Sequence, residues 1–253
     1  MATPHPLSHP QRPGRCFDSA LRSNRAYNPL IHGRTALISL TEELTLLAVE
    51  DDGRIAYTAG SPNFAMALVG ACIVDLNKAG RVDADLNGLN VLSHEPIGLP
   101  AQDRVLEVIA AGPVQTTERW VLELQGDSPD LVRMTLAQLQ KRGILHQAEK
   151  RFLWALRARR YPIDDGGKEQ KEAKLRILAA LLSDGLPTPD DSMLIGLAVA
   201  GGLLEAFLSK SEIARLAERI AEIGGLDLVV RGVEAAIRAD AEVRAHAIML
   251  SIH

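Results

Sequence analysis

Apolar residues along this chain recur mostly at helical spacing. In residues 38–54, reading ISLTEELTLLAVEDDGR, Leu40, Leu44, Leu47 and Ala48 fall at i, i+4, i+7 and i+8 on one face. Leu46 and Val49 widen that face, so the pattern predicts a short helix buried early in a globular domain. Ser39 and Glu42 stand three apart at its start, a capping box in which each side chain accepts a free backbone N–H. Glu43 is assigned to a solvent face, and Asp51-Asp52-Gly53 to the helix stop.

The same reading continues along the chain. Pro62 suits a first helical turn, and the small-residue run that follows predicts a closely packed helix to Leu76, ended at Gly80. Asn87-Gly88 between the runs 81–85 and 89–92 predicts a hairpin. Helices are expected over 99–111, 117–124 and 131–142, the last ended by Gly143. A second hairpin is expected over 144–156, because Leu76 to Val82 and Leu139 to Leu145 share one helix-glycine-return spacing. A polar helix over 168–182 precedes the break at Pro187-Thr188-Pro189. Residues 193–204 carry no charge and include three glycines; this is shorter than the about 20 residues of a membrane span, so it reads as a central core helix. An amphipathic helix over 211–222 and a final helix or pair over 226–249 complete the chain. The fold class is mainly α: a single globular domain with a buried helical core wrapped by amphipathic helices, plus two short β-hairpins.

Composition sharpens this picture. Of 253 residues 47% are hydrophobic but only 4% aromatic, which favours helices packed through aliphatic side chains over a β-sandwich. Residues 1–34 differ from the rest, with five prolines and with Arg12, Arg15, Arg22, Arg25 and Arg34 against the single acid Asp18. That arm buries too little to offset its ordering entropy and is expected to be mobile, leaving 35–253 as the domain. It holds no apolar core of a secretory signal. Cys16 and Cys72 are too few and too far apart for a disulfide framework or zinc site, which implies a reducing, cytoplasmic setting.

No constellation for chemistry emerges. The histidines (His5, His9, His32, His94, His146, His246 and His253) are scattered, none at ligand spacing from a carboxylate or cysteine. Nucleophile elbow, phosphate loop and dinucleotide fingerprint are absent, so neither enzyme nor cofactor is expected. Charge is the feature that stands out. Within 141–160 lie Lys141, Arg142, Lys150, Arg151, Arg157, Arg159 and Arg160, opposed by Glu149 alone, in a chain of net charge −4. Phe152, Leu153 and Trp154 sit among them, a mixture suited to an anionic membrane interface or to a protein partner. A helix followed by a hairpin also raises a winged-helix DNA reading. Arg133, Lys141 and Arg142 leave few groups between them to read bases, so nucleic acid is disfavoured.

Four landmarks in order, ISLTEELTLLAVEDDGR, ALVGACIVDLNKAGRVD, LQKRGILHQAEKRFLWAL and LIGLAVAGGLLEAFL, resemble the Golgi phosphoprotein 3 family over about residues 37–245. The resemblance implies a mainly α-helical, non-enzymatic domain. Eukaryotic members bind phosphatidylinositol 4-phosphate on the Golgi membrane and act as adaptors that retain glycosyltransferases. Their second hairpin takes part in membrane contact and self-association; related domains occur in bacteria. The tryptophan and three arginines that hold the lipid phosphate in eukaryotic members fall at Gly60, Val69, Pro129 and Val132 here, with Arg133 adjacent. Gly, Val and Pro do not build a bidentate phosphate site. A bacterial-type member with looser anionic-lipid binding is expected, through Arg133, Arg157, Arg159 and Arg160. Membrane or partner contact is assigned to Lys150, Arg151, Phe152, Leu153 and Trp154. The expected partners are an anionic membrane lipid and, through 144–156, a protein client or a second copy, with the chain peripheral on the cytoplasmic face.

Overall fold

The computed structural model describes residues 38–49, 61–85, 87–145 and 167–251. Helix α1 (Leu40–Leu47) starts as the pattern predicts: Ser39 Oγ accepts from Glu42 N at 3.2 Å, and Glu42 Oε2 accepts from Ser39 N at 2.8 Å. It stops at Leu47, well short of Asp51, and every one of its residues is buried. Its neighbour α2 (Pro62–Lys78) is the axis of the domain, with residues from Phe64 to Leu76 all buried. A helix apolar on every side has to be surrounded, and α2 packs against α1 and most of the helices introduced below.

After Gly80, β1 (Val82–Ala84) and β2 (Leu89–Val91) pair antiparallel, with Val82 opposite Val91 and Ala84 opposite Leu89. Asp85 Oδ1 accepts from Asn87 N (2.7 Å) and Gly88 N (2.9 Å), which closes the return. Gly88 has φ +151°, and a Cβ there would lie 2.8 Å from the Gln115 carbonyl oxygen. Both facts require glycine.

Helices α3 (Pro100–Ala111), α4 (Thr117–Leu124) and α5 (Ser128–Lys141) follow, α4 running into α5 through a 3-10 turn at Gln125–Asp127. Helix α5 begins earlier than its apolar pattern, because Pro129 suits a first turn. Then come α6 (Lys168–Leu182), α7 (Pro189–Ala200), α8 (Lys210–Arg215), α9 (Ala217–Gly224) and α10 (Leu228–Ser251). Helix α7 thus ends at Ala200, within the uncharged run; a short 3-10 turn (Leu204–Ala206) follows it, and Thr188 caps its start. The amphipathic stretch at 211–222 is two helices, not one, with Leu216 between them and a second capping box at Ser209 and Glu212. The last stretch is a single helix.

The elements meeting α2 include α1, α3, α5, α7, α10, α4, β1 and the 3-10 turn at Gln125–Asp127. One apolar cluster runs through them from Leu40 to Ala236, including Phe64, Leu68, Ile73, Trp120, Leu197 and Val233. A smaller cluster of Leu46, Leu136, Leu139 and Leu145 lies between α1 and α5. The described part is mainly α, as expected. Of the second expected hairpin, only Ile144 and Leu145 fall within the described residues.

Candidate functional site

Helix α1 is held by polar contacts along its length. Asp75 of α2 accepts from the backbone N–H of Leu40 (2.9 Å) and Thr41 (3.1 Å), the first two helical residues. These donors have no partner inside the helix, and a carboxylate there also meets the positive end of the helix dipole. Asp75 further accepts from the Thr41 hydroxyl (2.7 Å) and from Gln102 Nε2 of α3 (2.8 Å), which also reaches Ser39 Oγ at 3.2 Å. Nearby, burial pushes the Cys72 thiol up to about 12. It stays protonated and is a core residue, not a nucleophile.

Two adjacent carboxylates of α1 reach in different directions. Glu42 Oε2 accepts from Arg142 Nη1, just past α5, at 2.5 Å, with the Glu42 side chain 2% exposed. Glu43 Oε1 accepts from Arg176 Nη1 of α6 at 2.5 Å; Arg176 also grips Asp191 of α7 at 2.6 Å. The assignment of Glu43 to a solvent face is therefore corrected: α6 and α7 close over it, and an acid there is retained because a guanidinium meets it. Arg142 is likewise no open part of the basic run, since it is turned inward on Glu42. At the other end of α1, Gln170 Nε2 donates to the carbonyls of Leu46 (2.7 Å) and Val49 (2.6 Å).

Burial raises the Glu43 carboxyl above its ordinary 4.5, outweighing the opposite pull of Arg176 and Lys78, while Asp190 adds a small push upward. A folded state that holds a proton more tightly than the unfolded chain loses stability as pH rises. The contribution of Glu43 is thus fully present below 4.5 and is lost as pH climbs through its raised folded value. Chemical denaturation from about pH 4 to about pH 7 is expected to show the parent chain losing stability relative to Glu43→Gln as pH rises. An identical slope in the two proteins would refute the assignment.

Of the candidate residues named from the sequence, Arg133 is described: it sits on the outer side of α5, 60% exposed, with Asp130 Oδ1 at 3.0 Å. An exposed pair of this kind is weak and leaves the guanidinium open to exchange for another anion. Lys150, Arg151, Phe152, Leu153, Trp154, Arg157, Arg159 and Arg160 lie outside the described residues, as does Gly60. Val69 is wholly buried in α2, Val132 is packed against the core, and Pro129 is exposed at the start of α5. These three positions do not open onto one shared cleft. The groove beside α3, lined by His94, Pro96, Pro100, Arg104, Glu107 and Met134, gathers no cationic cluster, since Arg104 meets Glu107 at 3.0 Å and Asp127 at 3.6 Å.

What the described residues do bring together is the two flanks of 146–166. Leu145 is fully buried in the cluster with Leu46, and Gln170 bonds the Leu46 carbonyl. Sequence reasoning missed Gln170, Arg142 and Arg176 in these roles, because polar residues on amphipathic helices carry no local sign of a partner a hundred positions away. Among curated proteins, none matches the chain. The family model described as Golgi phosphoprotein 3 (GPP34) matches residues 40–239, from the first turn of α1 into α10. With that match over most of its length, the chain belongs to the Golgi phosphoprotein 3 family.

Proposed function

We propose that this chain is a non-enzymatic peripheral protein that attaches reversibly to anionic membranes through residues 141–160. One observation carries the reading: Leu145 and Gln170, on either side of 146–166, are both fixed at Leu46. The two described flanks of 146–166 therefore meet at one place on α1. Each Lys or Arg near an anionic surface contributes about 1 kcal/mol, and Trp154 is of the type that settles at headgroup level. Among the described residues no helix is long and apolar enough to cross a membrane. Val69, Val132 and Pro129 supply no phosphate fork, so the attachment is to anionic charge in general, on the cytoplasmic face, with no phosphoinositide specificity.

Sedimentation with anionic vesicles tests this. Binding is expected at low salt and is expected to weaken steeply as salt is added, since surface charges are screened within about 10 Å at 0.1 M. Changing Arg157, Arg159 and Arg160 together to Glu removes it. Absence of binding at low salt, or binding indifferent to salt, refutes the reading. A protein that ignores vesicles but changes oligomeric state when residues 147–151 are deleted is instead a soluble scaffold.

A further inference from the structure

Helix α6 is apolar on two opposite sides. Gln170, Ala173, Ile177 and Leu181 are buried against the body. Leu175, Ala179 and Leu182 fall at i, i+4 and i+7 on the other side; Leu186, also exposed, lies past the end of the helix in the connection to α7. At 3.6 residues per turn the two stripes lie about 180° apart. Leu175 is 64% exposed, Leu182 73% and Leu186 90%. A leucine left in water singly needs no explanation, but two aligned on one helix face, with a third just past its end, do.

The same outward side carries Lys168 and Lys171, both exposed, with Glu172 beside them. It thus runs from an end carrying lysines to an apolar end, and residues 161–167, with Asp164 and Asp165 among them, separate that end from the cationic stretch of 150–160 in sequence. Covering all three leucines removes roughly 400 Å² at most, against about 800 Å² per partner in a standard protein interface. A narrow apolar strip with lysines at one end is too small for a stable dimer. It suits a bilayer surface, where cationic ends meet headgroups and leucines reach the acyl boundary.

We propose that the outer face of α6, Leu175, Ala179 and Leu182 together with Leu186, lies in the interfacial zone of an anionic bilayer, with Lys168 and Lys171 at the headgroups. This rests on the membrane reading above and adds a second contact to it. The stretch 141–160 supplies attraction to charge; α6 supplies apolar insertion and fixes how the body is tilted on the surface.

The test uses the full chain carrying Cys16→Ser and Ala179→Cys, labelled with an environment-sensitive fluorophore; Cys72 is fully buried and escapes the label. It is mixed with vesicles of phosphatidylcholine alone, or with about one phosphatidylglycerol in four lipids, and sedimented in parallel. A blue shift is expected with the anionic vesicles only. Changing Leu175, Leu182 and Leu186 together to Gln is expected to lower the partition coefficient about tenfold, with thermal unfolding unchanged because the three are solvent-exposed. Sedimentation without a blue shift, and without loss in the leucine variant, overturns the α6 contact while the membrane reading stands. No sedimentation at low salt overturns both. Light scattering without lipid that finds a dimer, made monomeric by the leucine changes, assigns the face to a second copy and overturns the proposal.

Discussion

Asp75→Ala is expected to lower the unfolding free energy by about 3–5 kcal/mol, a large part of the 5–15 kcal/mol that a domain typically has. The carboxylate is 7% exposed and serves the N–H groups of Leu40 and Thr41, the Thr41 hydroxyl and Gln102. Alanine leaves the Leu40 and Thr41 N–H groups buried without an acceptor, and leaves the Thr41 hydroxyl and Gln102 only their longer contacts to Cys72 Sγ (3.6 Å) and Ser39 Oγ (3.2 Å), at about 1–3 kcal/mol for each group that water cannot reach. It also removes the negative charge from the α1 N-terminus. Asp75→Asn keeps the shape and one carbonyl oxygen, but turns an amide N–H₂ toward donors, so an intermediate loss is expected. Urea denaturation of both variants checks the order: parent most stable, Asn next, Ala least, with the slope against urea unchanged. An Ala variant within about 1 kcal/mol of the parent refutes the role given to Asp75. The effect extends to the candidate site, because α1 carries both Glu42 and Glu43, the acids that hold Arg142 and Arg176 on either side of 146–166.

The contrast between what the sequence disclosed about α1 and what it hid follows from range. The Ser39–Glu42 box, Pro62 at the start of α2 and the Asn87-Gly88 return are contacts within three residues or constraints on one backbone position, so spacing alone exposes them. Glu43 looked like a surface acid because its partner Arg176 is 133 positions away and belongs to a helix that reads as polar. Lys168–Leu182 earned that reading from its lysines and glutamates, which concealed that Gln170 serves two carbonyls and that Leu175 and Leu182 face away from the core. Residues 211–222 suggested one helix because their apolar spacing is continuous; the second capping box, at Ser209 and Glu212, and the interruption at Leu216 make two. The candidate site was legible as composition, in the density of Arg, Lys and Trp over 141–160. Its anchoring was not, since Leu145, Leu46 and Gln170 meet only through the packing of three helices.

Gly70→Ala gives the other large expected effect on stability, and its sign decides between two arguments. In a helix interior alanine is better than glycine by about 1 kcal/mol, so propensity alone predicts stabilisation. Packing predicts the reverse. A Cβ at Gly70 would lie 2.3 Å from Val233 Cγ2 of α10 and 3.1 Å from Leu197 Cδ2 of α7. Val233 is fully buried and β-branched, with one rotamer strongly preferred in a helix, so its methyl has no easy retreat. Overpacking of this kind costs about 1–3 kcal/mol, enough to exceed the propensity gain. A net loss of about 1–2 kcal/mol is therefore expected on urea denaturation. Val233→Ala alone leaves a cavity and is destabilising too. The double variant places the methyl added at Gly70 in that cavity, so it is expected to be no less stable than Val233→Ala, a favourable coupling only side chains in contact produce. A Gly70→Ala chain as stable as the parent would mean that α2 and α10 stand farther apart than described. The core from Leu40 to Ala236 is closed across that contact, and with it the rigid body on which the proposed membrane surface depends.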